Sequence, residues 1–128
     1  MRIIVDTCSF IWLCSDPDQL SEKAKDIINK TTTYLFISHA SIWEMNIKAK
    51  SEKIIFPKQL RSWLEDQMDI WKCDWLPITI SHILKTTDLP DYHKDPFDRL
   101  IIAQAKEENI PLLTPDKNIS QYNIETIW

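Results

Sequence analysis

Short runs rich in apolar and β-branched residues recur along this chain: RIIV (Arg2–Val5), TYLFIS (Thr33–Ser38), DWLPI (Asp74–Ile78) and PLLT (Pro111–Thr114). Between them lie longer stretches with the apolar spacing of amphipathic helices. Strands separated by helices cannot pair as tight hairpins. Each return to the sheet is a crossover, so neighbouring strands run parallel and the helices cover the faces. The expected fold class is α/β, three layers, with a central mostly parallel sheet of about four to five strands flanked by helices. At 128 residues the chain has room for one domain, spanning residues 1–128, with a sizeable core.

The helices carry readable start signals. Thr7 is positioned to cap a short helix bearing Phe10, Ile11, Trp12 and Leu13, and Ser21 opens another that runs to about Lys30, with Ala24, Ile27 and Ile28 on one face. Ser38 caps a helix from about His39 to Lys50. After Pro57, a stripe of Leu60, Trp63, Leu64, Gln67 and Trp71 marks an amphipathic helix. Thr79 caps a short helix, DLPDYHKDP is a loop, and Pro96 to about Asn109 is a helix. A short helix follows Asp116, and IETIW at the end is a candidate fifth strand. No internal repeat, low-complexity tract or linker is visible.

Composition narrows the function classes. Hydrophobic residues at 44% and charged residues at 27% suit a folded, soluble chain. The longest apolar runs are only a few residues, too short to cross a bilayer. The opening MRIIVDTCSF lacks the pattern of a secretory signal, and the cytoplasm is the expected location. Cys8, Cys14 and Cys73 form no CxxC pair and are expected to be buried free thiols in a reducing compartment. A net charge of −4 disfavours a broad nucleic-acid-gripping surface, so any such contact is local. The chain has no glycine, which leaves turns needing positive φ to Asn or Asp, helped by seven prolines.

Acidic residues stand at the places where α/β proteins do chemistry. Asp6 ends the first strand, and ligands of open α/β sheets bind beyond the carboxyl ends of the strands. Asp116 repeats the arrangement after PLLT, although Pro-Asp is also ordinary turn chemistry. Asp95, Pro96 and Asp98 fit N-cap, N1 and N3 of a helix, and that suffices for Asp95. It suffices less for Asp98, whose helical face is shared by Ile101, Ile102 and Ala105, while Arg99 and Lys106 occupy the exposed strip. A carboxylate on an apolar face is costly unless partnered, and a metal ion is one such partner. Glu44 reads differently. Ile42, Trp43, Ile47 and Ala49 define the apolar stripe of its helix, and Glu44 points largely away, where it would form a solvated pair with Lys48.

Carboxylates without His or Cys ligands suit the hard ions Mg²⁺ and Mn²⁺ rather than zinc. Crowded like charges are stable only with a cation bound or some acids protonated. Such a site suits phosphoryl chemistry.

At DTCSFIWLCSDPDQLSEKA, SIWEMNIKAK, DPFDRLIIAQA and LLTPDKNI the chain resembles the PIN domain, and in particular the VapC-type toxins of bacterial toxin–antitoxin pairs. The resemblance runs nearly end to end, with the motifs in the family's order. It implies a three-layer α/β fold and a Mg²⁺- or Mn²⁺-dependent ribonuclease. It also implies an acidic site of Asp6, Glu44, Asp98 and Asp116, Glu44 entering on this ground alone. Asp95 is then a cap or a residue behind the ligands, and Thr7 and Thr114 are hydroxyl neighbours of the metal's waters. A homodimer, inhibited by a cognate antitoxin, is implied as well. The chain departs from the pattern at Cys8, where related sequences often have His, and near Ser51 and Asn109, where they often carry Gly.

Lys48, Lys50, Lys53, Lys58 and Arg61 cluster with only Glu52 against them and are candidates for contacting RNA phosphates, as is Arg99; a solvated helix end would look the same. His93, just ahead of the DPFD motif, either assists proton transfer or is an ordinary loop histidine. Cys8 has no His evident beside it and is a poor nucleophile candidate. The six tryptophans are expected mostly in the core, with some facing a partner. Two other classes share parts of this pattern. A phosphoryl-receiving signalling domain normally has adjacent acids after its first strand, whereas Asp6 is followed by Thr7 and Cys8. The alternative within the family is a catalytically silent PIN-like RNA- or protein-binding scaffold, against which stands the presence of Asp6, Glu44, Asp98 and Asp116 together.

Overall fold

The computed structural model describes residues 1–128. Its elements, in chain order, are β1 (Arg2–Val5), α1 (Thr7–Ser15), α2 (Glu22–Ile28), β2 (Tyr34–Ser38), α3 (His39–Lys50) and α4 (Leu60–Ile70). They continue with β3 (Asp74–Leu76), α5 (Ile80–Lys85), α6 (Pro96–Glu108), β4 (Leu112–Leu113) and β5 (Thr126–Ile127). The strands form one five-stranded sheet in the order β3-β2-β1-β4-β5. Every pairing is parallel, with Ile4 opposite Leu112 and Phe36, and Val5 opposite Leu113 and Ile37.

Strand alternation divides the core into two. Ile3, Val5, Leu35, Ile37, Leu113 and Ile127 face one side and pack on Phe10, Leu13, Ala24, Trp63, Leu64 and Met68 of α1, α2 and α4. Ile4 and Leu112 face the other side and pack on Ile101, Ile102, Ala103 and Ala105 of α6. The result is the three-layer arrangement anticipated from the sequence. Helix α3 spans the boundary, giving Met45 to the first core and Ala40 to the second.

The order places β1 between β2 and β4, so the chain leaves β1 to build the sheet in both directions. Such a reversal opens a crevice at the carboxyl ends of the two central strands. Asp6 follows β1 there, and its N–H donates to Leu113 O at 3.1 Å, tying the end of β1 to the end of β4.

The capping expectations need one change. Ser21, Ser38 and Thr79 cap α2, α3 and α5, but α1 is capped by Asp6, whose Oδ1 accepts from Ser9 N–H at 2.8 Å; Thr7 is already helical. Positive φ is also distributed differently. It falls on Glu52 (58°), Lys72 (53°) and Asn109 (53°), so only one of the three positions uses Asn or Asp. Each follows a helix and closes it with paired backbone bonds, as where Cys73 N–H reaches Met68 O at 3.0 Å. Two of these positions, Glu52 and Asn109, lie beside or at the places, near Ser51 and near Asn109, where the resemblance implied glycine, and a left-handed backbone is a physical reason for glycine there. A side chain there costs roughly 1–2 kcal/mol, partly offset by the entropy glycine loses on folding. Lys72→Gly is therefore expected to raise stability by about 0.5–1 kcal/mol in urea titration. A loss of stability would show that the lysine stem contributes more packing than its backbone costs.

Candidate active site

Asp6 reaches the crevice from β1, Asp116 from the turn after β4, Asp98 from the first turn of α6 and Glu44 from the middle of α3. Asp6 is buried. Burial raises its carboxyl above the ordinary value; bonds from Ser9 and Thr114 oppose the rise, and the charge of Asp116 adds to it. Asp98 is pushed up to about 7, chiefly by burial, then by Asp95, with His93 opposing and Glu44 and Asp6 adding. These mutual effects tie the carboxylates into one electrostatic unit. Asp98 shares its helix face with buried Ile101, Ile102 and Ala105 and is itself half-buried.

The structure corrects the reading of α3. Its buried residues are Ala40, Ser41, Glu44 and Met45, whereas Trp43 is 57% exposed and Ile47 46%. Glu44 therefore faces inward rather than toward solvent. Its Oε2 accepts from Lys48 Nζ at 2.7 Å, but Oε1 is buried without a partner. An unsatisfied buried acceptor costs about 1–3 kcal/mol, more when charged. A donor set of carboxylates with one oxygen left over in the interior fits a hard divalent cation.

Asp95 caps α6, accepting from Phe97 N–H at 2.8 Å and Asp98 N–H at 3.1 Å. Thr114 is buried, and its Oγ1 accepts from Asp116 N–H at 3.1 Å. Thr7 is turned to Ser41, donating to its Oγ at 2.8 Å. Of the cationic candidates, Lys50 and Lys53 are exposed, Lys48 is held by Glu44, and Lys58 is paired with Asp66. Arg99 is not on an exposed strip. Its guanidinium donates to the carbonyls of Thr86 (2.7 Å), Leu89 (3.1 Å), Pro90 (2.9 Å) and His93 (3.0 Å), so its hydrogen-bonding capacity goes into the loop before α6. Cys8 is an exposed residue rather than a buried one, yet partial burial of its thiol, with the charge of Asp6, pushes it up to about 11, which disfavours a nucleophilic role at neutral pH.

His93, for which the sequence left open a part in proton transfer or an ordinary place in the loop, lies in the cluster. His93 Nε2 lies 2.9 Å from Asp116 Oδ2 and 3.1 Å from Asp98 Oδ2. One side-chain atom from each of His93, Asp98 and Asp116 falls within 4.8 Å of the others. Its only sequence signal is local: it stands two residues before the helix cap Asp95, whose N–H donates to His93 Nδ1 at 3.1 Å.

A parallel three-layer domain with acids gathered at its strand-order reversal is suited to cation binding and phosphoryl chemistry. The sequence matches the family model of the PIN domain over residues 3–125, and the chain belongs to that family, whose members are nucleases that generally use divalent metals. Solved structures agree in fold. VapBC2 from Rickettsia felis, bound to a DNA fragment from their promoter, has a TM-score of 0.71 at 12% identity, covering 99% of this chain and 98% of that one. DNA-bound VapBC from Salmonella typhimurium gives 0.71 at 16% identity, covering 99% and 97%. A toxin–antitoxin complex from Klebsiella pneumoniae gives 0.65 at 16% identity, covering 98% and 96%. Among curated proteins none matches.

The raised carboxyl of Asp98 predicts how metal-free protein responds to pH. A carboxyl near 7 in the fold and near 3.8 when unfolded binds its proton more tightly when folded. Its contribution to stability is then fully present below about pH 4 and lost as pH rises through 7. In EDTA, the melting temperature of the parent should fall relative to Asp98→Asn between pH 4 and 7.5. Parallel curves for the two proteins would show that Asp98 is not raised.

Proposed function

We propose that this chain, as one PIN domain over residues 1–128, is a divalent-metal-dependent endoribonuclease and the toxin of a toxin–antitoxin module. The observation that carries the metal-dependent part is the inward-facing Glu44, whose buried Oε1 is uncommitted beside the mutually repelling Asp6, Asp98 and Asp116. A surface ion pair would not place a carboxylate oxygen there.

Asp6, Asp98 and Asp116 would hold Mg²⁺ or Mn²⁺ or its waters, with Glu44 a ligand or the positioner of the attacking water. When bound, the ion lowers the pKa of water and neutralises charge on phosphodiester oxygens. The chain's own work is orientation. Lys48 grips Oε2 of Glu44, which leaves the buried Oε1 free to meet the ion or to position the attacking water. The Ser9 N–H holds Asp6, and the Asn118 N–H holds Asp116 Oδ1 at 2.8 Å, so neither carboxylate is free to swing out. Thr114 supports both acids, and Thr7, turned to Ser41, has a reduced claim to the same role.

RNA as substrate rests on the resemblance of the motifs and on exposed Lys50 and Lys53 flanking the end of α3. Lys48 and Arg99 are spent on Glu44 and on the loop, which removes them from the phosphate-contacting set. An antitoxin partner is supported by the VapBC and toxin–antitoxin structures among those of like fold; a homodimer rests on the resemblance of the motifs, and exposed Trp43, Ile47, Ile80, Ile83 and Leu84 offer apolar surface to a partner. No helix is long and apolar enough to cross a membrane; a cytoplasmic site of action is part of the proposal.

Purified protein should cut RNA in Mg²⁺ or Mn²⁺ and stop in EDTA. Asp6→Asn and Glu44→Gln should each lose at least about 100-fold in rate, since the charge stabilisation at stake is several kcal/mol. Cleavage by Asp6→Asn at the parental rate, with EDTA without effect on the parent, would refute the mechanism; binding of RNA without cleavage by the parent would point to the silent scaffold instead.

A further inference from the structure

We infer that His93 is a positioning residue of the metal site, clamping the carboxylates of Asp98 and Asp116 together through a single Nε2–H donor. The inference rests on the metal-site reading above and adds a residue to it.

The tautomer follows from the ring's other nitrogen. Asp95 N–H donates to His93 Nδ1 at 3.1 Å, so Nδ1 offers its lone pair and carries no proton. In the neutral imidazole the proton is then on Nε2, which faces Asp116 Oδ2 at 2.9 Å and Asp98 Oδ2 at 3.1 Å. Nε2 is therefore a donor to carboxylates and not itself a ligand, because its lone pair is used by the N–H bond. A ring donating to carboxylates that bind a metal orients them and fixes which oxygens remain available. Here it engages Oδ2 of each acid. Oδ1 of Asp116 is held by Asn118 N–H, so both oxygens of that carboxylate are located before any ion arrives.

The loop that delivers His93 is built for rigidity. Residues 89–94 contain no regular element, and such a segment would ordinarily be mobile. Arg99, one turn into α6, donates to Thr86 O, Leu89 O, Pro90 O and His93 O. The Tyr122 hydroxyl accepts from His93 N–H at 2.9 Å and donates to Pro90 O at 2.7 Å. The backbone of His93 is thus tied at both its N–H and its carbonyl, by side chains from different parts of the chain. A histidine needed only to fill a loop does not require either tie.

Binding of Mn²⁺ alone to the purified full chain, followed by isothermal titration and by the electron paramagnetic resonance signal of free Mn²⁺, tests the assignment without reference to RNA cleavage. His93→Ala should weaken Mn²⁺ affinity by about 10–100-fold, the usual effect of losing a hydrogen-bonding partner of a ligand. His93→Gln, whose side-chain amide can place an N–H near the same point, should stay within a few-fold of the parent. Melting curves in EDTA establish that both variants are folded. Unchanged affinity in His93→Ala overturns the inference, and so does tighter binding, which would make His93 a competitor for the carboxylates. An equal loss in His93→Gln refutes the donor role. Failure of the parent itself to take up Mn²⁺ refutes the metal-site reading and this inference with it, a result distinguishable from the others because it appears before any variant is made.

Discussion

Four carboxylates gathered in one crevice repel one another, and much of the local structure serves to hold them there. Asp6 meets that demand by doing two things: it caps α1 through Ser9 and faces Asp116 across the ends of β1 and β4. A buried carboxylate is tolerated only with hydrogen bonds or countercharge. The Ser9 N–H and Thr114 supply them to Asp6, Lys48 to Glu44, and His93 to Asp98 and Asp116. What remains unbalanced, the raised carboxyl of Asp98 and the orphaned oxygen of Glu44, is the part a divalent ion would complete.

The sheet makes the convergence possible. Because β1 lies between β2 and β4, the chain ends of β1 and β4 open side by side, and α3 packs against α6. Glu44 and Asp98 are distant in sequence from Asp6, yet the two helices bring them to its neighbourhood. Trp43 packs edge-on against Phe97 with ring centroids 5.0 Å apart, joining α3 to the start of α6 next to the acids. The scaffold is thus rigid where the acids stand, as a site that must hold ligands in fixed geometry requires.

Arg99 shows how a charged residue can be misplaced by surface logic. Its helical position suggests solvent, but a loop with several unpaired carbonyls is adjacent, and a planar guanidinium with five donors satisfies them at once. The same loop carries His93 into the acid cluster. Arg99, which touches none of the four acids, thereby fixes the loop that places His93 beside Asp98 and Asp116.

The sequence alone determined the layers, the parallel sheet, most helix boundaries and the strand-edge placement of Asp6 and Asp116, because these depend on periodicity and on capping chemistry that act over a few residues. Asp98 was legible for the same reason, through the apolar residues that share its face. Tertiary structure alone decided the orientation of α3, since its apolar residues Trp43 and Ile47 compete with Glu44 for burial and local pattern favours the wrong side. It also decided the place of His93 and the work of Arg99. Both depend on contacts across the fold, to Asp116 and Tyr122 in one case and to loop carbonyls in the other, and no local period encodes them.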